Sequence, residues 1–542
     1  MAEQTRTGTG PAQAADTSFR IQPPQLTLPK GGGAIRGLGE KFAANPVVGT
    51  GSLSVPIYVS SGRSGFSPQL SLSYDSGAGN GAFGFGWSLN LPAVTRKTDK
   101  GLPEYRDFKE SDIFIISGEE DLIPALVNAK GQWTRDVTPP RTVYGRQYAI
   151  HRYRPRVEGL FARIERWINL SDPQDTFWRS ISKDNITTWY GKTAESRIAD
   201  PADPSRVFSW LICETYDNKG NVISYAYKPE DSAGVDLSQA NERNRTRSAQ
   251  RYLKHVRYGN RTPYLPDLTA AGPAALPTDW CFDLVFDYGE HDLLAPIPDD
   301  TAQPWICRAD PFSSYRSRFE VRIYRLCRRV LMFHSFPGQP AVGADCLVRS
   351  TDLSHAASLP GTSEPFYSYV LSITQTGYAR NPAGGYFSQS YPSLQFEYTQ
   401  AEIDETVRDV DPESLKNLPS GIDSQLYRWL DLDGEGLAGI LTEQGGGWFY
   451  KPNLSPANQQ AVGDELLTLP WFGPVEQVAR QPSLASLASG RQQLMSLSGN
   501  GRLDLVELDS PTPGFFERTE HGGWEPFQAF RSLPVLIGRA RI

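Results

Sequence analysis

Leu28-Pro-Lys-Gly-Gly-Gly-Ala-Ile-Arg-Gly-Leu-Gly-Glu-Lys-Phe-Ala-Ala-Asn-Pro46 runs on into Gly49-Thr-Gly-Ser-Leu-Ser-Val-Pro-Ile57, and what this glycine-dense passage leads into sets the architecture. Two strand-like segments emerge from it, Ser52-Leu-Ser-Val-Pro-Ile-Tyr-Val59 and Pro68-Gln-Leu-Ser-Leu-Ser-Tyr-Asp75. The second puts Leu70, Leu72 and Tyr74 on one face. The connector Ser60-Ser-Gly-Arg-Ser-Gly-Phe-Ser67 joins them as a hairpin. Upstream, residues 1–27 are rich in Thr, Gly, Ala, Gln and Pro without hydrophobic period, which predicts a mobile tail, with ordered structure beginning near Pro29.

Further strands are predicted at Asp112-Ile-Phe-Ile-Ile116, Ile186-Thr-Thr-Trp-Tyr190, Val207-Phe-Ser-Trp-Leu-Ile212, Val222-Ile-Ser-Tyr-Ala-Tyr227, Phe282-Asp-Leu-Val-Phe286 and Phe319-Glu-Val-Arg-Ile-Tyr324. Dense turn punctuation separates them. The 542 residues carry 11% aromatics, 49 glycines and 42 prolines. That balance favours many short strands joined by turns, so the expected fold class is all-β.

A net charge of −7 gives no long-range attraction for phosphate backbones or anionic lipid, so nucleic acid is not an expected partner. The denser basic run from Arg243 to Arg261 reads as a solvated face whose arginines pair with the surplus carboxylates. Cys213, Cys281, Cys307, Cys327 and Cys346 are far apart and odd in number, the pattern of buried thiols in a reducing compartment. The N-terminus lacks the apolar stretch of a secretory signal, and no apolar run is long enough for a membrane-spanning helix. The expectation is synthesis in the cytoplasm, with export by another route and no membrane insertion.

After about Tyr398 the character changes. Tyr427-Arg-Trp-Leu-Asp-Leu-Asp-Gly-Glu-Gly-Leu-Ala-Gly-Ile-Leu441 matches Gln492-Gln-Leu-Met-Ser-Leu-Ser-Gly-Asn-Gly-Arg-Leu-Asp-Leu-Val506, and each is followed by an aromatic cluster. Repetition of hairpin and glycine turn is the mark of propeller blades. These repeats resemble FG-GAP units. Two blades do not close a ring, so the expectation is a chain that stops inside its propeller.

Oxygen ligands at alternate positions suit calcium. Asp431, Asp433 and the carbonyl after Gly434 would open such a loop, but Gly439 stands where the closing carboxylate belongs. The second copy keeps Asp504 there and has Ser496 and Ser498 in place of both opening acids. Each loop is half a site. The preferred reading is a tight turn whose Asp side chains satisfy backbone N–H groups, with calcium the weaker alternative and no metal or cofactor expected.

Other chemistry is thin. Gly79-Asn-Gly-Ala-Phe-Gly84 satisfies Gly-x-Gly-x-x-Gly, but Phe85-Gly-Trp-Ser-Leu-Asn-Leu91 alternates like a strand and opens no helix that could hold a pyrophosphate. Gly191-Lys-Thr193 has Ile186 where a P-loop needs glycine. The histidines (His151, His255, His291, His334, His355, His521) form no metal-binding spacing, and there is no Gly-x-Ser-x-Gly elbow. His334 reads as a satisfied core or edge histidine. Acid pairs such as Asp283 with Asp287 are not distinguished by sequence.

The opening passage, Asp184-Asn-Ile-Thr-Thr-Trp-Tyr-Gly-Lys-Thr193, Phe208-Ser-Trp-Leu211, Arg251-Tyr-Leu-Lys-His-Val-Arg-Tyr-Gly-Asn260 and Asp310-Pro-Phe-Ser-Ser-Tyr315 with Arg325-Leu-Cys-Arg-Arg329 together resemble one family. It is the domain shared by the Salmonella virulence plasmid B protein and the B components of bacterial insecticidal toxin complexes. Asp217-Asn-Lys-Gly-Asn-Val-Ile-Ser-Tyr-Ala-Tyr227 also resembles an Rhs or YD-repeat unit, in which a turn precedes a tyrosine-bearing strand.

The resemblance implies three regions: a tail at 1–27, a β domain at 28–398 that is part of an Rhs-like shell, and truncated propeller blades at 399–542. It implies a non-enzymatic virulence factor, secreted within a toxin complex. Its partners would be a C component that completes the shell, an A component whose channel the propeller docks on and gates, and an enclosed toxic polypeptide. The virulence plasmid protein instead carries a carboxy-terminal actin-modifying ADP-ribosyltransferase with a Ser-Thr-Ser strand, which this chain lacks, so no catalytic residues carry over. The alternatives are an FG-GAP adhesion module, or a fragment of such a transferase without its catalytic domain. A shell missing strands would expose edges, predicting poor solubility or obligate association.

Overall fold

In the computed structural model the described residues are 40–532, apart from 46–49, 100, 117–119, 130, 158–160, 173, 300–302, 357–366, 399–406, 408, 419–426, 463–464, 479–481, 483–485, 488–490, 498–500 and 520. The predicted tail, most of the opening passage and the last residues, 533–542, lie outside them. Among the described residues the fold is all-β, and the helical pieces are 3-10 turns of three or four residues. The predicted hairpin is present: Thr50–Pro56 pairs antiparallel with Ser71–Asp75, inside a four-stranded sheet with Lys41–Asn45 and Trp87–Leu89.

The centre of the molecule is a closed barrel. Eight strands pair antiparallel in a ring: Ala93–Arg96, Phe114–Ile116, Glu120–Pro124, Arg146–Pro155, Arg163–Asn169, Thr176–Ile181, Thr187–Tyr190 and Asp203–Tyr216, the last pairing back onto the first. Closure leaves no strand edge within the ring, and a barrel of this size is filled by its own side chains. Alternation decides which side chains fill it. Ile164 and Arg166 lie on one face of their strand and Glu165 and Trp167 on the other; across the register they meet Ser180 and Trp178, then Arg179 and Phe177.

On the inner face Phe114 sits 5.0 Å from Trp178 and 5.7 Å from Trp210, and Tyr153 lies 4.8 Å from Trp178. Each such aromatic pair adds about 0.5–1.5 kcal/mol beyond its area. The opposite face carries a second aromatic layer of Tyr148, Trp167, Phe177 and Trp189 against Cys213.

Asp203–Tyr216 is long enough to serve two structures. Its middle closes the barrel against Ala93–Arg96, and its last residues pair with Val222–Pro229. From there a wall of strands continues through Arg251–Asn260, Trp280–Asp287, Arg329–Phe336, Gly343–Ala356 and Tyr369–Arg380. Tyr369–Arg380 is flanked in turn by Tyr386–Ser390 and Leu394–Gln395. The principal core joins the N-terminal sheet (Val55, Leu72, Trp87) to barrel and wall (Val94, Trp210, Val256, Phe286, Val370). Tyr398 belongs to the same body, since its hydroxyl accepts from Trp87 Nε1 at 3.0 Å and donates to the Val370 carbonyl at 2.9 Å.

The matching C-terminal segments form two four-stranded antiparallel sheets, Tyr427–Leu430, Gly439–Gln444, Gly447–Lys451 and Glu476–Gln477, then Gln492–Met495, Asp504–Glu507, Gly514–Phe516 and Gln528–Ala529. They pack through Leu432, Leu441, Trp448 and Leu505, with Trp448 and Trp524 at 6.3 Å.

Two sequence readings need correction. Phe319–Tyr324 is strand only over Val321–Ile323, in a small hairpin with Phe312–Ser314, because Arg318 turns the chain at φ 62° and the Ser317 hydroxyl binds the Phe319 carbonyl. The basic run is not a solvated face. Arg251–Asn260 is an inner strand with Tyr252, Val256 and Tyr258 in the core, although its cations do find the expected acids, Arg257 with Asp283 and Asp299, and Lys254 with Glu290.

Candidate functional site

The turn acids singled out by sequence sit where the two C-terminal sheets meet. Asp431 accepts the backbone N–H groups of Gly434, Glu435 and Gly436 at 2.9, 2.8 and 2.6 Å, using both carboxylate oxygens. Asp433 accepts from Arg518 Nε at 2.7 Å. Asp504 is fully buried and accepts from the amides of Leu497 and Arg518 at 2.9 and 3.1 Å. Gly434 is at φ +79°, and a Cβ there would stand 2.8 Å from the Gly501 carbonyl oxygen, so the two turns touch backbone to backbone. The three carboxylates tie chain segments together, each through its own protein donors.

Charge is also concentrated inside the barrel, where sequence did not point. Arg96 donates to Asp107 and Asp112, both at 2.6 Å, and Arg166 to Asp107 at 2.5 Å. Both guanidiniums lie over the Phe114 and Trp210 rings, 4.9–5.6 Å from the centroids. Burial alone would raise the Asp107 pKa, but Arg166 and Arg96 outweigh it and hold the carboxyl well below its usual range. A buried cation survives here because its carboxylates and two aromatic faces replace water.

The most metal-like group lies in the turn after Trp280–Asp287. Asp287, Glu290 and His291 are buried, with ligand atoms within 4.8 Å of one another. A cation already occupies their centre: the Lys254 ammonium donates to Glu290, to His291 Nε2 at 2.6 Å and to the Phe286 carbonyl at 3.0 Å. Asp287 accepts from Arg329 Nε at 2.6 Å, and His291 Nδ1 lies 2.9 Å from the Ile297 carbonyl oxygen. Those partners assign the proton to Nδ1 and leave Nε2 to accept. Burial and then Lys254 lower the His291 pKa against the pull of Asp287 and Glu290. Asp287, Glu290 and His291 could hold a metal only if Lys254 withdrew. Sequence missed this cluster because Lys254 comes from a neighbouring strand; the visible signal was the acid-rich Asp287-Tyr-Gly-Glu-His-Asp292.

His334 is satisfied, as its sequence suggested: Nε2 is 2.7 Å from Ser60 Oγ, and the ring packs between Phe282 and Phe336. Of the cysteines, Cys213, Cys327 and Cys346 are buried and Cys281 and Cys307 half-buried. The charged clusters thus act as internal ties, and the surfaces of the sheets remain the places where a partner could be met.

Comparison with known proteins follows this architecture. The family model described as SpvB, Salmonella virulence plasmid 65kDa B protein, matches residues 45–336. The mono(ADP-ribosyl)transferase SpvB of Salmonella choleraesuis (strain SC-B67) is 40% identical over 374 residues, 67% of this chain and 59% of that protein. The chain thus spans about 59% of the length of the curated relatives it matches. The crystal structure of TcdB2–TccC3 is similar at 29% identity and a TM-score of 0.65, over 95% of this chain and 23% of that one. The Photorhabdus luminescens Tc holotoxin pore is similar at 29% identity and a TM-score of 0.61, over 96% of this chain and 23% of that one.

Proposed function

From a chain that belongs to the family of the Salmonella virulence plasmid 65kDa B protein, we propose a non-enzymatic component of a secreted toxin complex of the Tc kind. In this reading residues 28–398 form part of a wall that encloses a toxic polypeptide, together with a C component of the TccC type. Residues 399–542 form propeller blades that dock on the A-component channel.

The observation that carries the reading is the likeness to TcdB2–TccC3 across 95% of this chain, a span that takes in the barrel, the wall and the C-terminal sheets. The physical logic supports it. A barrel sealed by its own aromatics and a long antiparallel wall make a stiff, water-excluding partition, and the charged clusters are spent on internal ties rather than aimed at a substrate. The boundary near Tyr398 is supported by that residue's bonds to Trp87 and Val370. In this reading the transferase activity in the relatives' name belongs to the part of those proteins that this chain does not match.

The test is size-exclusion chromatography with light scattering of this chain, alone and co-expressed with TccC3. A stoichiometric complex that survives dilution is the expected result. A monodisperse monomer that ignores the partner overturns the assignment.

A further inference from the structure

A cavity of about 830 Å³ opens on the face of the wall that carries Asp287, Arg329, Asp352 and Thr374, a row in register across four adjacent strands. The residue next to each of them, Phe286, Val330, Leu353 and Ile373, belongs to the principal core. Alternation therefore turns the row to the opposite side of the sheet. The volume is that of an ordinary small-ligand site, roughly 300–1,000 Å³.

The segment beside the cavity is held by Arg329, whose guanidinium donates to the carbonyls of Leu293, His291 and Asp292 at 3.4, 3.2 and 3.0 Å. Leu293 (79% exposed), Leu294 (84% exposed) and the exposed Ile306 line the cavity. Aliphatic side chains left in water around one concavity are a feature of binding sites.

Asp352 differs from the acids on the neighbouring strands. Glu214, Asp283 and Asp287 hold Lys192, Arg257 and Arg329. Asp352 stands opposite Arg329 in register, but that guanidinium is spent on Asp287 and on the three carbonyls. Among the described residues no cation lies within ion-pair distance of Asp352. Its Oδ2 accepts from Ser350 Oγ at 2.5 Å and from Thr376 Oγ1 at 3.5 Å, while Oδ1 accepts from no protein donor. Burial raises its pKa against the pull of Ser350 and Arg329. With His291 neutral, three carboxylates line the cavity (Asp287, Asp292 and Asp352) against two guanidiniums (Arg328 and Arg329), so one negative charge is left over.

We propose that this cavity binds a primary ammonium carried on an apolar chain, with the ammonium at Asp352 Oδ1 and the chain along Leu293, Leu294 and Ile306. A free alkyl amine and a lysine side chain of a polypeptide share that chemistry.

The test is saturation-transfer NMR on the full chain with hexylamine, hexanol, methylamine and hexanoate, and with the blocked tripeptide acetyl-Leu-Lys-Leu-amide. Hexylamine should saturate, with hexanol and methylamine at least about tenfold weaker and hexanoate weaker still, because the site asks for both the charge and the chain. Asp352→Asn should bring hexylamine down to the level of hexanol, about tenfold, without lowering the melting temperature, since the amide oxygen can still accept from Ser350. Leu294→Ser, at an exposed position, should weaken hexylamine and hexanol alike. Tighter binding of the tripeptide than of hexylamine identifies a lysine side chain as the occupant, and the reverse order a free amine. The proposal is overturned if hexanol or hexanoate binds as well as hexylamine, if Asp352→Asn keeps the preference for the amine, or if neither hexylamine nor the tripeptide binds at millimolar concentration.

Discussion

The barrel and the paired C-terminal sheets bury comparable chemistry in opposite ways. The barrel closes on itself, so its interior is sealed from every side and can hold Arg96 and Arg166 among Phe114, Trp178 and Trp210, with Asp107 and Asp112 as counter-charges. Each four-stranded sheet of the second region keeps two free edges and finds its core by stacking on a neighbour, through Leu432, Leu441, Trp448 and Leu505. Asp431 and Asp433 tie its turns together, and Asp504, at the start of a strand, is buried against backbone amides. In both regions a buried ionised group is kept by protein partners that replace its lost hydration; the barrel adds aromatic faces to the counter-charges, while Asp504 in the C-terminal sheets relies on backbone amides.

The largest expected effect breaks the barrel side of this contrast. Arg96→Met leaves Asp107 with only Arg166 and leaves Asp112 without its guanidinium, a loss of about 3–5 kcal/mol. Limited proteolysis read by mass spectrometry should show cleavage spreading through 93–216 while the 427–529 sheets stay protected. Equal protection in both regions would mean that the buried arginine is dispensable.

Acid should separate the regions next. Burial, with help from neighbouring arginines, depresses His355 and His151 to about 4, against an ordinary value of 6.5. The unfolded chain therefore binds more protons than the fold between those values. Stability is full above about 6.5 and drains as the pH falls toward 4, by on the order of a few kcal/mol, most of it from the better-buried His355. The C-terminal sheets contain one histidine, His521, and it is exposed. Calorimetry should show the wall and barrel transition moving down with pH while the other holds, and His355→Gln should flatten that slope. A slope untouched by His355→Gln would remove this histidine from the account.

The smallest effect tests the turns. Asp431→Ala deprives three backbone N–H groups of their acceptor and should cost about 1–2 kcal/mol. Millimolar calcium should leave the wild-type melting temperature unmoved; a calcium-dependent rise lost in Asp431→Ala would show that the carboxylate is a ligand and not merely a turn tie.

Much of this was legible in the chain. Strand segments such as Val222–Tyr227 and Phe282–Phe286 were found because they alternate or carry β-branched and aromatic residues between turn signals, and they lie inside the observed Val222–Pro229 and Trp280–Asp287. Arg163-Ile-Glu-Arg-Trp-Ile-Asn169 and Thr176-Phe-Trp-Arg-Ser-Ile181 were not, because both of their faces are buried and their charged residues break the expected alternation. The turn acids Asp431, Asp433 and Asp504 were picked out by repeat and spacing, which place them in turns but do not say which donors they meet.

The sequence by itself determined the all-β class, the change of character after Tyr398 and the family, because local alternation, turn chemistry and motif are written in consecutive residues. Only the tertiary structure decided that the barrel closes and that Lys254 fills the space between Glu290 and His291. Each of these depends on strands far apart in the chain coming into register, and no local pattern encodes that pairing.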